Sequence, residues 1–234
     1  MSVTLFVLAS GLFFTPVPIE QREDKTVYTP SLNVMLNATT FNGNIEIQST
    51  TGDQIELIYN LKATRGEFST IKTQTDEIKN GDQTTLITKA ESSVYGASNN
   101  CADLLIKLPL SSQYNLTLIS GNGNIIVPKL NLNRVSLNRV SVSTTNGNID
   151  IKDDGVYASI EAISMNGNVR IGLAKDTSFQ VAAIVVSGSI EHPGIMLDTE
   201  IETATRLKGT TSTGEGTLAL TLMAVNGKIT MEYL

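Results

Sequence analysis

The chain has 234 residues, 41% of them hydrophobic, which is enough to bury the core of one large β domain or two small ones. Its net charge is −6 and no basic run stands out, so the electrostatic footprint of a nucleic-acid or anionic-lipid binder is missing. One cysteine, Cys101, excludes an intrachain disulfide. The charged fraction of 17% lies under the usual ~25%, with Ser, Thr and Asn in its place, as suits a secreted or surface protein.

Val3 to Phe14 is the most apolar run. It is too short for the ~20 residues of a membrane-spanning helix and has the length of a signal core, although no Lys or Arg precedes it. Val3, Leu5 and Val7 also alternate with Phe6 and Leu8, the pattern of an apolar strand that docks on this subunit or a neighbour. Residues 1–16 are therefore expected to be a signal or anchor remnant or a donor strand. In the second case Val3, Leu5, Phe6, Val7 and Leu8 are the assembly candidates. Membrane contact is expected only if this segment is part of an anchor. Residues 17–31, with Pro18, Pro30 and the cluster Glu20 to Lys25, show no core face and read as a linker.

Residues 32–234 read as a single domain built on one recurring unit: an alternating strand, an Asn-Gly turn, and a second short strand. The turns are Asn42-Gly43, Asn122-Gly123, Asn146-Gly147 and Asn166-Gly167, with variants at Ser187-Gly188 and Asn226-Gly227. From residue 122 on the intervals are 24, 20, 21 and 39; the last is near twice 20, and Ser212 to Gly216 marks where a degenerate turn would fall. Asn-Gly supplies the positive φ angles of a tight turn. The first and third positions after each turn are mostly apolar (Ile45 and Ile47, Ile125 and Val127, Ile149 and Ile151, Val169 and Ile171, Ile229 and Met231), giving one buried and one wet face.

A period near 20 with a fixed turn predicts an all-β solenoid, in which turns pile on turns and Asn side chains bond in a ladder. A hairpin sandwich would also show Asn-Gly, but gives no reason for the spacing. Between residues 54 and 110 the pattern loosens. Strands are expected over 54–63, 84–90 and 104–108, as a wide rung or a side hairpin.

Candidate chemistry is sparse. The outward second position of the units reads Glu46, Ile126, Asp150, Arg170, Glu191, Thr230. If consecutive units stack, Arg170 falls between Asp150 and Glu191, the arrangement a glycan-cleaving β-helix needs. The same residues also make an ordinary cross-strand charge ladder of ~0.2–1 kcal/mol per pair, and that reading is preferred. His192 stands alone, Asp150 to Gly155 lacks the EF-hand spacing, and Cys101 has no ligand neighbour, so neither a catalytic residue nor a metal site is assigned. No small-molecule cofactor is expected. Asn37 and Asn115 begin Asn-x-Thr sequons and are the glycosylation candidates.

At this point the chain resembles the adhesin-like family of bacterial and archaeal surface-associated β-solenoid domains, otherwise known as a domain of unknown function. The resemblance rests on the strand–turn pair over 32–47, the turn Thr51-Gly52-Asp53, the Leu-x-Ile-x-Leu-Pro strand over 104–109, the Ser-x-Asn-Gly-x-Ile-x-Ile units, and the Gly-rich approach to the last unit over 214–231. It implies a secreted or surface location and a structural or adhesive role without catalytic residues. The expected partners are the chain itself, as a homo-oligomer or pilus-like filament, or a cell-surface or glycan partner. The alternative is a glycan-binding or glycan-cleaving β-helix, which the absence of Trp and the 5% aromatic content disfavour.

Overall fold

A computed structural model describes residues 19–64, 67–92, 100–130, 137–153, 157–175, 177–211 and 218–234. The apolar residues Val3, Leu5, Phe6, Val7 and Leu8 and the expected degenerate turn at 212–216 lie outside the described residues. Seventeen strands join in one hydrogen-bonded sheet. They are β1 Ile19–Tyr28, β2 Asn33–Asn42, β3 Ile45–Thr50, β4 Ile55–Thr64, β5 Ile71–Asn80, β6 Gln83–Ser92, β7 Cys101–Pro109, β8 Gln113–Asn122, β9 Ile125–Val127, β10 Leu137–Asn146, β11 Ile149–Lys152, β12 Tyr157–Asn166, β13 Val169–Leu173, β14 Phe179–Glu191, β15 Asp198–Glu202, β16 Arg206–Thr210 and β17 Leu218–Tyr233. A single 3-10 turn at Phe68–Thr70 is the only helical element among the described residues. The chain is all-β.

The strands before and after each Asn-Gly do not pair with each other. Each pairs in parallel with its counterparts in the layers above and below, so the sheet bends at the Asn-Gly positions into two walls. The first wall runs β6–β2–β8–β10–β12–β17–β14, all parallel. The second runs β7–β3–β9–β11–β13–β17–β14, also parallel. Strands β14 and β17 cross the bend unbroken.

Alternation supplies the core. Val34, Leu36 and Ala38 of β2, Tyr114, Leu116 and Leu118 of β8, Ile160 and Ala162 of β12, and Leu218, Leu220 and Leu222 of β17 point inward from the first wall. Ile45, Ile47, Ile125, Val127, Ile149, Ile151, Val169, Ile171, Ile229 and Met231 meet them from the second, all buried in one cluster. At ~1.5–3 kcal/mol per buried aliphatic side chain, this is the main stabilising term of each layer.

Antiparallel strands close both ends. At one end β5 pairs with the outer edge of β6, and β4 and then β1 extend the second wall beyond β7. At the other end β16 pairs with the outer edge of β14, and β15 with β16.

Two expectations change. The segment expected as a linker over 17–31 contains β1. Most of its side chains are exposed, so it carries no core signal; backbone pairing to β4 holds it, with the Lys25–Glu56 ion pair, Arg22 over the Phe68 ring and Tyr28 against the core. Strand β17 lies inside the stack, between the β12/β13 layer and β14. The interval of 39 does not hide a further rung in its described part, because β15 and β16 form an antiparallel hairpin outside β14.

Candidate functional site

The Asn-Gly positions of the repeating units lie on one column. Asn42, Asn122, Asn146, Asn166 and Asn226 stand in register down neighbouring layers. Each carboxamide donates to the next: Asn226 Nδ2 to Asn166 Oδ1 at 2.8 Å, Asn166 to Asn146 at 2.8 Å, Asn146 to Asn122 at 2.5 Å and Asn122 to Asn42 at 2.5 Å. Asn42 Nδ2 ends the run on the carbonyl of Asn100 at 3.4 Å.

A second ladder uses the residue after glycine. The backbone N–H groups of Asn124, Asn148, Asn168 and Lys228 donate to Oδ1 of Asn44, Asn124, Asn148 and Asn168 at 2.8–2.9 Å. Asp103 caps it, accepting the backbone N–H of Asn44 at 2.8 Å and the ammonium of Lys62 at 3.0 Å. Reading the units for their Asn-Gly turns alone passes over this set, although Asn recurs after the glycine at 44, 124, 148 and 168 and was the available signal. Behind the corners, buried hydroxyls of Thr40, Ser120, Thr144 and Ser164 donate to glycine carbonyls at 2.9–3.0 Å.

The glycines are there for proximity rather than for a tight turn. No non-glycine residue among those described has positive φ, so the Asn-Gly pairs do not form two-residue hairpin turns. A Cβ at Gly43 would lie under 3.0 Å from the carbonyl oxygen of Ala102. One at Gly123, Gly147, Gly167, Gly227 or Gly188 would crowd the glycine carbonyl of the next layer in the same way. Backbone stacks on backbone at this corner, and only hydrogen fits between.

The expected charge triad is not formed. Arg170 stands beside Asp150 on one side but beside Thr230 on the other, because β17 intervenes. Glu191 is next to Thr230 and pairs with Lys228. Arg170 is engaged with Glu232, its Nε 2.8 Å from Oε1. His192 is tied to the carbonyl of Ile195 at 3.2 Å and lies 3.3 Å from Glu202. Burial, and then the charge of Asp103, raise the Cys101 thiol above its ordinary pKa, which makes it a poor nucleophile. Among the described residues no three His, Cys, Asp or Glu side chains converge to hold a metal. Asp153 is buried, while Asp154 and Gly155 lie outside the described residues.

Asn37 and Asn115 both face outward from the first wall on adjacent strands, Asn37 beside Thr117 and Asn115 beside Met35. Farther along this outer face lies an apolar patch. Ile163, Met223 and Ile184 form one row across β12, β17 and β14. Met165, Val225 and Val186 form the next, and Val186 is 63% exposed, Met165 48% and Ile184 45%. The sequence hid this patch, because outward and inward positions are both apolar here and the strands read as merely hydrophobic.

The fold is thus a stack of parallel layers closed at both ends by antiparallel strands. The chain belongs to the Toastrack DUF4097 family, whose model matches residues 111–232. Among solved structures it is similar to a candidate cell adhesion protein from Clostridium sporogenes ATCC 15579, with a TM-score of 0.75 and 16% identity over 92% of this chain and 100% of that one. That likeness shows the fold. A candidate adhesin from Bacteroides fragilis NCTC 9343 is matched loosely, with a TM-score of 0.30 and 11% identity over 91% of this chain and 97% of that one. No curated protein matches.

Proposed function

We propose that the chain is a non-catalytic structural or adhesive protein of a cell surface or the extracellular space, a β-solenoid in which the Asn-Gly unit is the stacking element. The observation that carries this reading is the corner column. The recurring polar residues, Asn at two positions and Ser or Thr at a third, are spent on bonds from layer to layer. What remains for partners is the outer surface, chiefly the patch of Ile163, Met165, Ile184, Val186, Met223 and Val225. Exposed apolar patches rimmed by polar residues mark interaction sites, and the similarity to a structure described as a cell adhesion protein supports the same role.

Self-association through residues 1–16 belongs to this proposal. Both ends of the stack carry charged antiparallel strands, which oppose end-to-end growth, so the apolar stretch holding Val3, Leu5, Phe6, Val7 and Leu8 supplies the alternative contact. Two variants test the reading by electron microscopy and by adhesion of protein-coated beads to cells. Deleting residues 1–16 is expected to abolish assembly, and Ile184→Lys with Val186→Glu to abolish adhesion while the protein stays folded. Unchanged adhesion in the second variant overturns the patch; unchanged assembly in the first overturns the role of the N-terminal segment.

A further inference from the structure

We propose that Asn80 is a site of spontaneous backbone modification, and that the corner column shields the other Asn-Gly bonds of the chain from the same reaction. The sequence contains six Asn-Gly pairs, at Asn42, Asn80, Asn122, Asn146, Asn166 and Asn226. Asn-Gly is the dipeptide most open to intramolecular attack, since glycine puts no side chain in the way. The glycine nitrogen loses its proton and attacks the Asn Cγ, forming an N–Cγ bond. The bond from Cγ to the carboxamide nitrogen breaks, and ammonia leaves with the proton. Water then opens the five-membered succinimide at either carbonyl, giving aspartate or isoaspartate. The sum is one water consumed and one ammonia released, and no other reactant is needed.

Five of the six pairs are held against this. The nucleophile is occupied: the N–H groups of Gly43, Gly123, Gly147 and Gly167 donate to the carbonyls of Asn122, Asn146, Asn166 and Asn226 at 2.9–3.0 Å. Gly227 is locked between Gly167 and Gly188 in the middle of β17. The electrophile is occupied as well, because each of these carboxamides donates along the ladder. Reaching the attack geometry means breaking both bonds and tilting a peptide that is packed against the backbone of the next layer.

Asn80 differs in every respect. It ends β5, and Gly81 and Asp82 form the two-residue loop to β6. Gly81 has φ of +58°, as the first loop residue of a type II′ hairpin does, and a Cβ placed there would meet nothing within 4 Å. Asn80, Gly81 and Asp82 are all exposed, and the Asn80 carboxamide has no hydrogen bond among the described residues. Modification adds a negative charge at the tip of the hairpin that closes one end of the first wall. The isoaspartate product also inserts a backbone carbon where β5 and β6 hold register.

The test is peptide mapping by mass spectrometry of the folded full chain during incubation in mildly alkaline buffer. Asn80 is expected to convert faster than any corner Asn by about tenfold or more, the factor set by two hydrogen bonds that must first break. In denaturant all six should convert at similar rates. An Asn80→Ser variant should lose the main acidic species on ion exchange. The proposal is overturned if any corner Asn keeps pace with Asn80 in the folded protein, or if the acidic species persists in the variant.

Discussion

A glycine in a repeat invites an argument from φ, and Gly43, Gly167 and Gly188 do have positive φ, yet the quantity common to all six corners is the space between two layers of backbone. Gly147 shows the difference. Its φ is not in the left-handed region, but a Cβ there would run into the carbonyl of Gly123 and neither backbone can move away. Gly147→Ala is therefore expected to cost about 3 kcal/mol or more, at the upper end of overpacking effects. Gly52→Ala, where the nearest atom is the Thr50 hydroxyl at 3.5 Å, should stay within ~0.5 kcal/mol. Urea unfolding midpoints of the two variants check this.

The same scale holds a titration. The Tyr59 hydroxyl, buried in β4, bonds Thr88 of β6 at 2.8 Å and so ties the second wall to the first. Burial pushes its pKa from 10.0 up to about 12. Between those values the folded chain keeps a proton that the unfolded chain has released, so stability must fall as pH rises. About 2–3 kcal/mol should be lost over that range through this residue. Tyr59→Phe should start ~1 kcal/mol less stable at neutral pH and decline less steeply above pH 10, as measured by denaturant unfolding against pH.

At the scale of elements, the strands on the outside of the stack behave differently from those within it. The inner strands alternate cleanly, and the order of Ile45, Ile47, Leu116, Leu118, Ile149 and Ile151 along the chain is enough to assign their buried faces. Strand β1 offers no such pattern. Glu20, Arg22, Glu23, Asp24 and Lys25 look like a linker because an edge strand without a covering layer has no buried side. Strands β5 and β15 follow the same rule, with Lys72, Asp76, Glu77 and Lys79 in one and Asp198, Glu200 and Glu202 in the other. Such charges blunt an edge that would otherwise pair with another molecule. Replacing Asp198, Glu200 and Glu202 together by Thr keeps strand propensity and removes the charge. That variant is expected to associate through β15, visible as a rise in mass by light scattering over the parent protein at equal concentration. If its mass matches the parent's, the charge is not what protects the edge.

On the scale of the whole molecule, the unexpected feature is the order of the layers. A periodic sequence gives the unit but not its neighbours, since each corner offers the same donors and acceptors to the next. One clue was present. Ser187-Gly188 lacks the carboxamide that continues the ladder, so it belongs at an end of the column, and Asn226 belongs beside Asn166. The structure has this arrangement, with Asn226 bonded to Asn166 and Ser187 outermost among the six corners. Layers in an ordinary solenoid touch only their sequence neighbours, so a terminal unit can be removed and the rest survives. Here β17 is last in the chain but interior in the stack. It is bonded to β12 and β13 on one side and to β14 on the other. Leu220, Leu222, Ile229 and Met231 fill the core at that level. Ending the chain after residue 211 thus opens a gap between two layers instead of shortening the stack, and leaves the parallel edge of β14 without a partner. That truncation is expected to abolish the cooperative thermal transition of the C-terminal layers. Adding a peptide of residues 212–234 should restore it in proportion to peptide concentration, as binding linkage requires. A truncated chain that melts as sharply as the parent without peptide would show that β14 can close directly on β12, and that the inserted strand is dispensable.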